Sequence, residues 1–400
     1  MKQSLKVMHV TSNLGGGGVE RLMVKSLAVF DHTDFDHKVC CFSGGLYEGE
    51  LRAMDIPYWI LNRRLRFDPR FIFEIAGLMR RERVDVVHTL NFTANAWGRA
   101  AAKIAGVPRI IAHERGTAWT ESATMRMVDR IFYNFTDLLL ANSNAAKNVL
   151  TKHVGLSKDR IRVIYNGVPK PTIKPKTRPS LREMLGISSS TYLVGTIGRL
   201  DTPKGHIYLL HAISKVLQSL PNVTFVIIGD GPLHRYLKSE AQSLGLIDKG
   251  CVHFMGFLDN APDLISDLDL LVHPAIRESL GNVLIEASLN QIPIVASNVD
   301  GCPEVVVDGQ TGILVDCTQP VTYVDAPGAS PLPAVVVDGS TRQLRPPLGP
   351  NPEDLAGAIV LLLQNPHLRE QMGSRARTRS ENLFSIERYV RDLENAYRGN

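Results

Sequence analysis

Short runs rich in Val, Ile and Leu alternate with stretches of helical spacing along the chain. In the first half the runs are LKVMHVTS (5–12), HKVCCFS (37–43), VDVVHTL (84–90), RIIAHE (109–114) and DLLLANS (137–143). They are too continuous in apolar character for strands with one wet face, and they read as strands buried on both faces. Between them, VERLMVKSLAVF places Val19, Leu22, Met23, Leu27 and Phe30 on one helical face. Buried strand followed by helix, repeated, predicts a parallel α/β sheet. The alternation stops at IRVIYNGVPKPTIKPKTRPS, where Pro169, Pro171, Pro175 and Pro179 mark an interdomain linker. It resumes at YLVGTIGRL and continues through VTFVIIGDGP, CVHFMGFLD, LDLLVHPA, PIVASNVDG and TGILV. The prediction is an α/β protein of two doubly wound Rossmann-like domains, residues 1–170 and 171–383, facing a cleft. In such sheets ligands bind beyond the carboxyl ends of the strands. At the end of the chain Leu383, Ile386, Tyr389, Val390, Leu393 and Tyr397 keep helical spacing, which predicts a terminal helix without saying which domain it packs on.

One segment breaks this rhythm. VVVDGQTGIL (305–314) recurs as VVVDGSTRQL (335–344), and each copy holds an Asp-Gly hairpin signal. Prolines crowd around the second copy. Residues 317–350 are therefore expected to be an inserted, irregular flap built from a duplicated hairpin, emerging on the cleft side; chance similarity of valine runs is the alternative.

Composition narrows the class. The chain has 400 residues, 44% of them hydrophobic and 21% charged, as in a soluble globular protein. The first residues have no signal-peptide pattern, and no apolar run reaches the roughly 18–20 residues a membrane span needs. Five cysteines show neither metal-site nor disulfide spacing and read as buried thiols of a cytoplasmic protein. The net charge of +5 hides an asymmetry: residues 1–170 carry 25 Lys and Arg against 16 Asp and Glu. Arg63, Arg64, Arg66, Arg70, Arg80, Arg81 and Arg83 concentrate this charge. The segment is either a solvated helix face or a peripheral dock on the anionic inner face of a membrane. Nucleic acid is disfavoured, because no aromatics interleave with the arginines for base stacking.

Three stretches carry candidate chemistry. TSNLGGGGVERL is a Gly-rich strand-to-helix loop suited to an anion. It fails G-x-G-x-x-G, because Glu20 or Arg21 falls at the third glycine position, and it lacks the P-loop Gly-Lys-Ser/Thr. In GRLDTPKG, Arg199 and Lys204 lie on one loop and can converge on a diphosphate; two exposed loop cations are the plain alternative. In RESLGNVLIEAS, a helix starting at Gly281-Asn282 would offer the amides of Leu280, Gly281, Asn282 and Val283 to phosphate. Glu278 would precede that helix and Glu286 lie inside it. Eight helical steps separate two such acids by about 12 Å and about 80°, most of the span of a nucleotide sugar. Carboxylates accept paired sugar hydroxyls.

GRLDTPKG, VIIGDGP, FMGFLDN, ESLGNVLIEAS and VDGCPEVVVDGQTGILV, in this order, resemble the donor half of retaining glycosyltransferases of the GT4 family, which have the GT-B fold. The Gly-rich loop, HERG, ANS and VIYNGV extend the resemblance to nearly the whole chain apart from 317–350. The resemblance implies that Arg199 and Lys204 bind the donor diphosphate and that Glu286 holds the ribose. Glu278 and the amides after it would grip the transferred sugar and phosphate. Gly16 and Gly17 would close on the diphosphate from the other domain, and His113 would reach the donor sugar. Phe257 and Leu258 would meet the base, and residues 384–400 would cross back to the first domain.

Two positions depart from the pattern. Ser279-Leu280 stands where Gly and an aromatic are common, which clouds the donor's identity. His273 stands where small or apolar residues are common, and is expected to be a buried structural histidine. Asp267 and Asp269 form a D-x-D, but in the wrong setting for a metal site. No cofactor is implied beyond a UDP- or GDP-linked sugar donor; the acceptor would be a sugar or lipid-linked, in envelope polysaccharide or glycolipid synthesis. Competing readings are a sugar-nucleotide epimerase of the same fold, a non-catalytic nucleotide-binding protein and an NAD-dependent oxidoreductase.

Overall fold

A computed structural model describes residues 4–61, 69–171 and 179–400. The chain divides into two compact units, Met1–Pro169 with Phe384–Asn400, and Lys170–Leu383.

The first unit is built on strands β1 (Leu5–Thr11), β2 (Phe35–Cys41), β3 (Tyr58–Ile60), β4 (Val86–Leu90), β5 (Arg109–Glu114), β6 (Leu138–Ala141) and β7 (Ile161–Val163), in the order β3-β2-β1-β4-β5-β6-β7. All neighbours pair in parallel. Strand β7 lies within the stretch where the alternation stops. Its three residues are too few to show a period, yet they complete the sheet against Leu139 to Ala141. The helix Ile386–Arg398 closes one face of this sheet. Ser385 caps it by accepting from the amide of Arg388, and Ile386, Tyr389, Val390, Leu393, Ala396 and Tyr397 are buried. They share a core with Val7, Val39, Ile111 and Leu140. Gly167 permits this close approach: a Cβ there would lie 2.5 Å from that of Tyr389.

The second unit repeats the plan with β8 (Tyr192–Ile197), β9 (Val223–Ile228), β10 (Val252–Gly256), β11 (Leu270–His273), β12 (Ile294–Ser297) and β13 (Ile313–Val315), again parallel, in the order β10-β9-β8-β11-β12-β13. The winding reverses between β8 and β11, so the loops after these two strands flank the switch point, where doubly wound sheets hold ligands. Asp267 and Asp269 are engaged locally. Asp267 accepts from the Leu181 amide at 2.9 Å, and Asp269 pairs with Arg182 and the Leu193 amide.

The two valine-rich copies do not form a duplicated hairpin. In the first, Val305 ends a helical turn, Asp308–Gly312 makes a tight loop and β13 joins the parallel sheet. In the second, Val336–Val337 (β15) pairs antiparallel with Leu344–Arg345 (β16). Tertiary context decides between states that the sequence leaves open. The excursion is closed at its base, where Cys317–Gln319 (β14) pairs with Gly349–Pro350 (β17).

Candidate active site

The loop after β8 is shaped by two residues. Asp201, 4% exposed, accepts from the Thr202 amide at 2.9 Å and so caps the short turn Thr202–Lys204. Gly205 follows at φ +63°, and a Cβ there would lie 2.0 Å from the carbonyl oxygen of Pro274. Only glycine meets both demands. The Pro203 carbonyl accepts from the amides of Ile276 and Arg277, at 2.9 and 3.2 Å, and thus stitches the β8 loop to the β11 loop.

Across that seam Lys204 Nζ donates to Glu278 Oε2, and His273 Nε2 lies 2.9 Å from the same oxygen. Burial pushes the Glu278 carboxyl up, but the Lys204 ammonium and the His273 hydrogen bond outweigh it and hold Glu278 well below the usual carboxylate range. His273, expected to be structural, is thus the second partner of a candidate catalytic acid. Its signal was a polar residue closing an otherwise apolar strand. Below it His206 is buried and pushed down to about 3, first by burial and then by His273 and Lys204. Arg199 remains exposed, its Nε 3.5 Å from Asp201 and its Nη2 3.3 Å from the carbonyl of Gly328.

Gly281, at φ +90°, starts the helix Asn282–Leu289 without a side-chain cap, and the amides of Leu284 and Ile285 bond its carbonyl. Leu280 is buried; Asn282, Val283 and Glu286 are half-buried. Phe257 is exposed beyond β10, with Leu258 half-buried beside it. An open depression of about 730 Å³ lined by Asp230, Gly231, His234, Arg235 and Lys238 adjoins the Arg199 loop, on which Gly231 packs against Leu200.

In the first unit, Gly16 and Gly17 lie exposed between β1 and the helix Gly18–Leu27, at that sheet's own switch point between β1 and β4. His113 departs from expectation. Its ring is fully buried, Nδ1 lies 3.2 Å from His88 Nε2, and Nε2 has no partner among the described residues. Burial, then Arg115, pushes His113 well below the ordinary histidine value, so it is neutral. As placed, the ring is core rather than a surface a sugar can touch. Of the basic cluster, Arg70, Arg80 and Arg81 lie on the helix Pro69–Arg81, with Arg83 just beyond; Arg63, Arg64 and Arg66 lie outside the described residues. No helix among the described residues is long and apolar enough to cross a membrane.

Residues 16–170 match Glycosyltransferase Family 4, and residues 177–327 match Glycosyl transferases group 1. The UDP-Gal:alpha-D-GlcNAc-diphosphoundecaprenol alpha-1,3-galactosyltransferase of Escherichia coli is 25% identical over 338 residues, 80% of this chain and 87% of its own. The D-inositol 3-phosphate glycosyltransferase of Corynebacterium diphtheriae is 29% identical over 280 residues, 65% of this chain and 64% of its own. Anabaena HepE, in complex with UDP and glucose, superposes with a TM-score of 0.80 at 22% identity, covering 99% of this chain and 100% of that one. WaaG, a glycosyltransferase involved in lipopolysaccharide biosynthesis, superposes at 0.68 with 17% identity, covering 98% and 100%. The two matches between them take in both Rossmann-like units and every loop that carries the Lys204–Glu278–His273 cluster, and the chain belongs to the GT4-type glycosyltransferases of the GT-B fold.

Proposed function

We propose that this glycosyltransferase moves a sugar from a UDP-linked donor to a lipid-linked acceptor, with retention of anomeric configuration and without a metal. The observation that carries this reading is the contact of Lys204 with Glu278, ahead of a helix start without a side-chain cap, at the β8–β11 switch point, with Arg199 on the same loop as Lys204. Arg199, Lys204 and the amides of Gly281 to Val283 are assigned to the negative charge that develops as the diphosphate leaves, the charge that preorganised donors stabilise. Lys204 and His273 both use Oε2 of Glu278, so Oε1 is the oxygen assigned to a sugar hydroxyl. Glu286 takes the ribose hydroxyls, and Phe257 and Leu258 take the base. Retention follows the family's front-face route, in which the leaving phosphate helps deprotonate the acceptor and no protein nucleophile is needed. His113, buried and neutral, is assigned no proton transfer.

The UDP preference rests on the Escherichia coli relative, named for UDP-Gal and a diphosphoundecaprenol acceptor, and on HepE with UDP. A membrane-borne acceptor fits the first unit's surface. Met127 and Ile131 are exposed one turn apart on the helix Ala123–Tyr133, and Phe135 follows just beyond it under the ammonium of Lys103. Arg126 and Arg130 lie beside them, and Phe73 is exposed on the helix Pro69–Arg81. Apolar side chains ringed by cations suit an anionic interface.

The test offers UDP- and GDP-sugars with membrane extract and follows nucleoside diphosphate release and the anomeric signal of the product. Acceptor-dependent release of UDP, unaffected by chelator, with an α-linked product from an α-linked donor, is expected. Conversion of the donor sugar without acceptor would instead make the protein an epimerase, and binding without turnover would make it a nucleotide-binding module.

A further inference from the structure

The excursion 317–350 makes its contacts at the loops that follow β8 and β12. The Ser330 amide donates to Asp201 Oδ1 at 2.8 Å, and its hydroxyl donates to Asp201 Oδ2 at 2.5 Å. Asp201 is the carboxylate that caps the Lys204 turn. On the other side of the seam Asp300, buried and at φ +47°, accepts from the Val337 amide through Oδ1 at 2.6 Å and from the Glu278 amide through Oδ2 at 3.2 Å. The Asp300 amide returns a bond to the Val337 carbonyl at 2.8 Å, and Gly301 donates to the Glu278 carbonyl at 2.9 Å. Gly301 is pressed so closely on Ser279 and Leu280 that a Cβ would lie 2.1 Å from the Ser279 oxygen. The Gly328 carbonyl holds Arg199, and Tyr208 anchors the stem by bonding the Pro320 carbonyl and the Thr322 amide.

We propose that residues 317–350 are a positioning strut for the donor site, with Ser330 and Val337 fixing Asp201 and Asp300, on which the Lys204 turn and the Glu278 loop are built. This rests on the reading of Lys204 and Glu278 as donor-binding groups. A carboxylate shared between two backbone donors transmits position, because moving either partner leaves a buried oxygen or amide unpaired. The family match ends at residue 327, within the excursion.

The experiment measures donor and acceptor KM, kcat, UDP affinity by calorimetry and Tm for Ser330→Ala, Ser330→Thr, Lys204→Ala and the double variant Ser330→Ala/Lys204→Ala. Ser330→Ala is expected to raise donor KM and weaken UDP binding about three- to tenfold, with acceptor KM unchanged. Ser330→Thr, which keeps the hydroxyl, should restore both. In the Lys204→Ala background the serine change should add nothing, since it acts through that turn. Replacing residues 322–348 by a short Gly-Ser bridge across the β14–β17 base should weaken UDP binding further. Should Lys204→Ala weaken UDP binding while Ser330→Ala does not, or should Ser330→Ala raise acceptor KM instead, the strut is overturned and the donor site stands. Should Lys204→Ala leave UDP binding intact, the donor-site assignment itself falls, and the strut with it.

Discussion

At the scale of single residues, the cluster around Glu278 turns on two donors meeting one buried oxygen. His273→Phe keeps a planar ring and removes one of them. A lost hydrogen bond to a charged group costs about 1.5–3 kcal/mol, and Glu278 would then lose part of what holds it ionised. The expected outcome is a fall of about tenfold or more in kcat/KM, with its acid limb moved to higher pH. A pH–rate profile checks this; an unmoved limb would return His273 to a structural role. Glu286→Ala makes a separate claim. It should weaken UDP binding by about 1–3 kcal/mol in calorimetry while leaving Tm intact, because Glu286 is half-buried and the helix core beside it is made by Leu284, Ile285 and Leu289. Unchanged affinity in the folded variant would remove the ribose role. Both glutamates and the Arg199–Lys204 pair were legible because each lies in a contiguous motif. Asp201 and Asp300 were not: their partners, Ser330 and Val337, come from 129 and 37 residues away, and no local period announces them.

Among elements, the long buried strands and amphipathic helices could be read directly, whereas β3 and β7 could not. Three residues show no alternation, and such strands are defined by the neighbour they pair with. The valine-rich repeat makes the same point more sharply, with one pattern seated as helix end, loop and parallel strand, and again as an antiparallel ribbon. Between helices, the deciding contacts are also non-local. Arg99, on the helix Asn91–Ala105, is fully buried and ion-paired with Asp129 of the helix Ala123–Tyr133, and its Nε donates to the Asn95 carbonyl at 2.9 Å. Glu114 stands nearby, bonded by Asn95 and by Trp119 Nε1 at 3.0 Å. Burial and the Asp129 charge push Glu114 up to about 8, against the pull of Arg99. Removing one partner of a buried pair costs about 3–5 kcal/mol. Arg99→Met should therefore lower stability by about that much, seen as an earlier urea transition. A double variant, Arg99→Met with Asp129→Leu, should recover a large part of it; failure to recover would show that packing rather than charge sets the cost.

For the whole molecule, the response of the first unit to acid is set by a cluster of buried histidines. In the first unit His9, His37, His88 and His113 line one face of four neighbouring strands beneath Tyr389 and Tyr397 of the terminal helix. They are linked by His9–His37 at 3.0 Å, His88–His113 at 3.2 Å and Tyr397–His88 at 2.8 Å. Burial pushes each below the ordinary 6.5, aided by His88 on His9, His9 on His37, His113 on His88 and Arg115 on His113; His37 falls to about 2. A histidine held neutral in the fold contributes stability that is complete above pH 6.5 and is lost as pH falls, because only the unfolded chain takes up the proton. Glu114 and Glu20, whose carboxyls are raised mainly by burial, act in the opposite sense, favouring the fold as pH falls. Four histidines outweigh them, and the net loss between pH 6.5 and 5.5 is about 2–3 kcal/mol. All three tryptophans, Trp59, Trp97 and Trp119, lie in the first unit, so their fluorescence follows its unfolding alone. The urea midpoint read by tryptophan should drop steeply over that pH unit. Replacing His9 and His37 together by leucine removes both ends of one hydrogen bond and two of the silent titrations, about 2 kcal/mol of the loss, so the drop should fall to roughly a quarter. A midpoint that holds level in the wild type would mean that these rings are already charged, or reached by water, in the native state.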